Sequence, residues 1–186
     1  MEEEKSFKRS FWELVHFALV ALAIVIPIRL FIAEPYVVSG SSMVPTFEDK
    51  NYLIVDKISY ILRSPQRGDV VVFRYPNDPK KFFIKRIVGL PKETVDVKGD
   101  NVLIYNKENP EGFKFVQPFI TKDGNKDART ELGDEEFFVM GDNRPASLDS
   151  RFWGAVKRDL IAGRAFLRLL PIKKMGIWPG KINESE

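Results

Sequence analysis

The chain of 186 residues contains no cysteine and a single histidine, His16. The first absence removes disulfides, thiol catalysis and cysteine-ligated zinc. The second removes any histidine metal cage. Neither a GxxxxGK[ST] loop nor a GxGxxG turn is present, so no phosphate cradle is read. The carboxylates do not fall at EF-hand spacing. Lys and Arg number 29 against 26 Asp and Glu, a net charge of +3 without a dense basic block. No nucleic-acid partner is therefore expected, and no motif implies a metal or cofactor, although a carboxylate site for magnesium or calcium stays open at this point.

What the chain does have, first, is an apolar N-terminus, KSFKRSFWELVHFALVALAIVIPIRLFIAEP. It is apolar from Leu14 to Ile28 apart from His16, is interrupted by Arg29, and resumes through Ala33. A helix of about 20 residues crosses a bilayer core. Leu14 to Ala33 has that length if Arg29 snorkels to the interface, and Pro27 is tolerated near a helix end. Lys5, Lys8 and Arg9 precede the span and Trp12 marks its edge, the pattern of a cytoplasmic N-terminus. The expected organisation is a cytoplasmic segment 1–13, a single transmembrane anchor 14–33 and an extracytoplasmic domain 34–186. A cleaved signal peptide is the rival reading, but Ile32-Ala33-Glu34-Pro35 is a poor cleavage site. A buried amphipathic helix is the other. His16 lies in this segment and is set aside as a catalyst.

Beyond Ala33 the pattern changes to short runs rich in Val, Ile, Phe and Tyr, as strands are. Strands are expected near Tyr36–Val38, Tyr52–Asp56, Asp69–Arg74, Phe82–Val88, Thr94–Val97, Val102–Tyr105, Glu136–Met140 and Ile161–Leu169. Lys98-Gly99-Asp100-Asn101 reads as a hairpin turn, and Ser64 to Gly68 as a loop. The charged, Gly-containing run Lys122 to Glu136 reads as an exposed excursion. The fold class is mainly β, an apolar helix followed by several small antiparallel sheets. Near the C-terminus, Ile177 and Trp178 follow Lys173 and Lys174, which suits either a membrane interface or a core-capping tryptophan.

Three segments can carry chemistry. VVSGSSMVPTF holds adjacent serines, Ser41 and Ser42. A serine needs a base within hydrogen-bond reach, and with His16 excluded the bases left are carboxylates, tyrosines and lysines. A lysine serves only when desolvation lowers its pKa. KKFFIKRIVGLP supplies one: on a strand, Lys85 shares a face with Phe83 and Ile87. Arg86 falls on the other face and stays protonated. The plainer reading of Lys85 is an edge-strand lysine that blocks aggregation. The third segment, MGDNRPASLDSRFWG, is dense in hydrogen-bonding side chains. It fits a loop that orients a lysine, or an ordinary turn closed by Asx-type bonds.

Taken together, these segments resemble the motifs of the type I signal peptidases, membrane-bound serine proteases that release exported proteins from their signal peptides. SGSSMVPT resembles the nucleophile motif, in which the serine directly before Met attacks; that residue is Ser42. IKRIVGLP resembles the motif of the general-base lysine, here Lys85. GDNRPASLDSRFWG resembles the last motif. It implies that Ser147 hydrogen-bonds the lysine and that Asp149, Asp142 and Arg151 hold the scaffold. The resemblance covers most of Glu34 to Leu170. It implies an endopeptidase acting after small residues of secreted preproteins, with membrane lipids as surroundings and the plasma (inner) membrane as location.

Three features depart from relatives in the family. Some carry a second span before the catalytic domain. Some carry a serine where this chain has Gly40, which leaves the oxyanion to backbone groups, chiefly the Ser42 N–H. Pro91-Lys92-Glu93 replaces the usual Pro-Gly-Asp. Two rivals stand beside the peptidase. One is a membrane-anchored β domain that binds a partner without catalysis. The other is a self-cleaving repressor with a Ser-Lys pair. That reading needs a DNA-binding module upstream, where this chain reads as an anchor.

Overall fold

The computed structural model describes residues 2–118, 120–121 and 126–182. Helix α1, Glu2–Pro27, runs into a π-helical turn, Ile28–Ile32, which ends as Ala33 turns extended. Ser10–Pro27 is long and apolar enough to cross a membrane, and none of it is buried against the rest of the chain. Phe11, Leu14, Phe17, Leu19 and Ile24 all stand exposed. A helix apolar on every side with no protein over it suits lipid. A buried amphipathic helix is excluded for it.

The remainder is β-rich. The strands are β1 Ala33–Val37, β2 Tyr52–Asp56, β3 Val70–Tyr75, β4 Asp78–Gly89, β5 Thr94–Lys98 and β6 Asn101–Tyr105. They continue with β7 Phe113–Lys114, β8 Ala128–Glu131, β9 Glu136–Met140, β10 Val156–Lys157, β11 Ile161–Leu170 and β12 Gly176–Ile177. Two short helices, α2 Ser59–Leu62 and α3 Ser150–Trp153, interrupt them. The strands form two sheets. The larger has the order β1-β2-β11-β3-β4-β9-β10 with β12 added on β11, and the smaller the order β7-β6-β5-β8. Pairing between the named strands is antiparallel throughout, and β5 turns into β6 at Gly99-Asp100 as expected. In place of several small sheets there is one large sheet and one small one.

The expected excursion 122–136 needs correction. Residues 122–125 lie outside the described residues, but Ala128–Glu131 pairs with β5. Its residues alternate between half-buried and exposed. The charged residues Arg129 and Glu131 stand on the exposed face, so the run reads as polar although it is a strand.

The core explains where the site lies. β9 is buried on both faces. Phe137 and Val139 join Val71, Phe73 and Ile87 in one cluster, while Phe138 and Met140 join Val88, Val95, Val97 and Ile104 in another between the sheets. The C-terminal half of β4 is covered in the same way, so both Lys85 and Arg86 are buried, one on each face. A third cluster, Val38, Met43, Phe47, Leu53 and Val70, seats the turn after β1.

Candidate active site

The segment after β1 bends through a turn in which the Val44 N–H donates to the Ser41 carbonyl. Met43 and Phe47, both fully buried, pin this turn to the core. Successive side chains diverge as a result: Ser41 stays exposed, while Ser42 turns inward and is half-buried. Ser42 Oγ lies 2.7 Å from Lys85 Nζ, and Nζ also donates to the Ile84 carbonyl at 2.9 Å. The structure thus brings Ser42, not Ser41, to the lysine.

Lys85 is 4% exposed. Burial lowers its pKa from 10.5 to about 8, against the opposing pull of the Asp149 and Asp142 charges. Near neutral pH a far larger share of the molecules then hold a neutral amine than at the ordinary value. The reading of Lys85 as a solvent-facing lysine that blocks aggregation does not hold, because its side chain is buried. β4 pairs with β3 at Lys85 and gains β9 on the other side from Arg86 onward.

The scaffold residues form two buried ion pairs. Asp142 takes Arg86 Nε at 2.8 Å and Nη2 at 2.6 Å, and accepts from Thr46 Oγ1. Asp149 takes Arg151 Nε and Nη2, both at 2.8 Å, and accepts from the Gly141 N–H at 3.1 Å. Asp149 also caps α3 through the Arg151 N–H. Arg151 Nη2 reaches back to the Arg144 carbonyl at 2.8 Å. Each carboxylate meets a planar guanidinium with two parallel bonds, the geometry in which a buried pair offsets its desolvation. The Ser41-Ser42 segment is sewn to this loop directly. The Asn143 N–H donates to the Ser42 carbonyl at 3.0 Å and Asn143 Nδ2 to the Ser41 carbonyl at 3.1 Å.

One expectation changes. Ser147 is buried beside Gly141, but its Oγ has no hydrogen-bond partner. The expected bond to the lysine is not made; Nζ bonds Ser42 and the Ile84 carbonyl instead. At Gly40 a Cβ would meet open space, yet φ is +94°, a conformation that favours glycine.

Thr46, Asn143, Arg144, Gly141 and the pairing role of Arg86 were not picked out as site residues. At Gly141 a Cβ would collide with Ser147 Oγ and the Ser42 carbonyl, so glycine alone lets the loop pack against the Ser41-Ser42 segment. The signal for it was present, in a glycine that directly follows a β run. Nothing in sequence spacing marks Thr46 as a partner for Asp142, 96 residues away.

Above the pair lies a cleft of about 500 Å³. One wall is the 36–42 segment and the other is residues 81–85 of β4, with Ala146 and Leu148 also lining it. Tyr36 and Phe82 meet across it, ring centroids 5.3 Å apart.

Comparison with known proteins places the chain in a family. The family described as "Signal peptidase, peptidase S26" matches residues 11–170. "Probable signal peptidase I-2" of Synechocystis is 37% identical over 182 residues, 95% of this chain and 81% of the relative. "Signal peptidase I" of Bacillus caldolyticus is 34% identical, covering 93% of this chain and 96% of the relative. A crystal structure of a signal peptidase I from Enterococcus faecalis aligns with a TM-score of 0.46 and 28% identity, over 55% of this chain and 97% of that one. The chain belongs to the S26 signal peptidase family.

Proposed function

We propose that Ser42 and Lys85 perform the hydrolysis by which this signal peptidase, a serine endopeptidase, removes signal peptides from preproteins. The observation that carries the assignment is the 2.7 Å approach of Ser42 Oγ to a buried lysine at the base of a cleft. When Lys85 is neutral, the Ser42 hydroxyl donates to the Nζ lone pair. As Oγ attacks the scissile carbonyl, its proton passes to Nζ and a tetrahedral oxyanion forms. Among the described residues no acceptor within the chain meets the Ser42 N–H, which leaves that donor for the oxyanion. The ammonium then gives its proton to the leaving amine, and the C–N bond breaks to leave an ester on Ser42. Lys85, neutral again, takes a proton from water as it attacks the ester carbonyl; the acyl–Oγ bond then breaks, the ammonium returns its proton to Ser42 Oγ, and the carboxylic acid product leaves. Asp142, Asp149 and Arg151 hold the loop around the pair, and Ser147 stands beside it.

The substrate is an extended segment with small residues at the first and third positions before the bond. The largely apolar cleft between the 36–42 segment and β4 suits a chain of that kind.

The chain is anchored by α1, with residues 1–13 cytoplasmic and 34–186 outside, in the plasma membrane. Ile61 and Leu62 are exposed on α2. This turn is fixed to the anchor by the Lys57 N–H, which donates to the Ile32 carbonyl at 2.9 Å. It sets these side chains against the lipid as a foot for the domain. Trp178 is a different matter: it packs on Phe166 and under Arg164, as a core cap.

The test is incubation of the detergent-solubilised protein with a secretory preprotein and sequencing of the new N-terminus. Cleavage after a small residue, lost in Ser42→Ala, supports the proposal. Equal cleavage by that variant overturns it.

A further inference from the structure

Arg86 follows the lysine on β4 and is 1% exposed. Its five donors all find acceptors. Nε and Nη2 hold Asp142, Nη2 also reaches Thr46 Oγ1 at 3.5 Å, and Nη1 donates to the Gly68 carbonyl at 2.9 Å and to the Gly180 carbonyl. The Gly180 acceptor comes from a segment that the family match, ending at residue 170, leaves out.

That segment is itself firmly held. The Trp178 N–H donates to the Phe166 carbonyl at 2.7 Å, and the ring meets Phe166 edge-on with centroids 4.7 Å apart. The Arg164 guanidinium lies 3.5 Å over the centre of the Trp178 ring, and the Ile182 side chain packs at Gly68. Gly180, at φ +80°, fits so closely that a Cβ would strike Thr46 Cγ2 and lie 3.3 Å from Arg86 Nη2.

We infer that the C-terminal segment 178–182 is a positioning element for the Ser42–Lys85 pair, with Gly180 as its contact point. A guanidinium is a rigid fork, so fixing Nη1 from one side sets the angle at which Nε and Nη2 present to Asp142. Asp142 in turn accepts from Thr46, four residues beyond the nucleophile, and precedes Asn143, which holds the Ser42 carbonyl. Without the Gly180 carbonyl, one donor of a buried cation is unpaired and the fork is free to tilt. The displacement passes to both sides of the pair. Gly180 touches no substrate and acts only through Arg86. The inference rests on the Ser42–Lys85 assignment.

The experiment is a cycle of Gly180→Ala with Thr46→Ser in the full chain in detergent, read as kcat and KM on a signal-peptide substrate, with Ser42→Ala as the blank. Serine keeps the hydroxyl for Asp142 but lacks the methyl that an alanine at 180 would strike. Gly180→Ala should lower kcat about tenfold or more, since small misplacements at a reacting pair are costly, with KM within about twofold. In the Thr46→Ser background the same substitution should lower kcat less than about threefold. The backbone strain of alanine at φ +80° is common to both backgrounds and cancels in the comparison. An undiminished kcat, or an equal loss in both backgrounds, overturns the inference. If Gly180→Ala does not fold, Trp178→Phe and Trp178→Ala replace it. A kcat preserved in the first and lost in the second supports the inference, and equal kcat in both overturns it. If the unmodified chain is no better than the Ser42→Ala blank, the catalytic assignment itself has failed and the inference falls with it.

Discussion

Ser42 Oγ and Lys85 Nζ stand 2.7 Å apart across 43 residues of sequence, while the neighbouring Ser41 stays exposed. Substitution should separate the two serines. Ser42→Ala is expected to lower cleavage by on the order of 10³-fold or more, because the residues of such a unit act together. Ser41→Ala should retain most of it. The check is preprotein cleavage at equal folded concentration. An inactive Ser41→Ala beside an active Ser42→Ala would show the nucleophile to be misassigned.

The lowered Lys85 pKa makes a statement about stability as well as rate. The unfolded chain binds a proton at this lysine between about pH 8 and 10.5 where the folded chain does not, so folding stability rises with pH through that window. Below about pH 8 the full cost of burying the ammonium is present. The displacement corresponds to about 3 kcal/mol. Lys85→Met should therefore be inactive and yet more stable at pH 7, by up to that amount, with the gain fading toward pH 10.5. Denaturant unfolding at several pH values measures it. A Lys85→Met chain less stable at pH 7 contradicts the desolvation account.

Asp142 and Arg86 are both almost fully buried. Asp142→Asn leaves the guanidinium without its counter-charge and should cost about 3–5 kcal/mol, as breaking a buried pair does. The exposed pair of Lys81 and Asp78 at 3.0 Å is the contrast; Lys81→Ala should leave the stability almost unchanged, because solvent screens an exposed pair. Similar losses for the two variants in thermal unfolding would deny the buried pair its structural role.

Ser147 Oγ is buried without a partner, so removing it relieves a small penalty. Ser147→Ala is expected to melt no lower than the unmodified chain while kcat falls about tenfold or more, the mark of a hydroxyl used during the reaction and not in the resting fold. A lowered melting temperature with unchanged kcat would give it the opposite role.

Much of this was legible in the sequence, for reasons particular to each element. β2 and β9 were bounded correctly because their runs are apolar and end in charged or glycine-rich turns. Lys85 stood out because a charge amid Phe83, Ile84 and Ile87 has few ways to be satisfied. β8 was missed because its solvent face carries Arg129 and Glu131. α2 and α3 were missed because four residues are too few to show a helical period. The web from Arg86 to Thr46, Gly68 and Gly180 spans 94 residues at its longest. It is set by how the sheet folds, and no local pattern records it.

The central claim is that Ser42 is acylated by the help of a neutral Lys85. The most direct measurement is the single-turnover rate at which a serine-directed acylating inhibitor adds to the protein from pH 6 to 10, with the modified residue located by peptide mass. The expected result is a single adduct on Ser42, a rate that rises to a plateau with its midpoint near pH 8, and no adduct in Lys85→Arg, which keeps the charge but cannot act as a base. An adduct on Ser41, or a rate on Ser42 that is flat across this range and survives in Lys85→Arg, would contradict it.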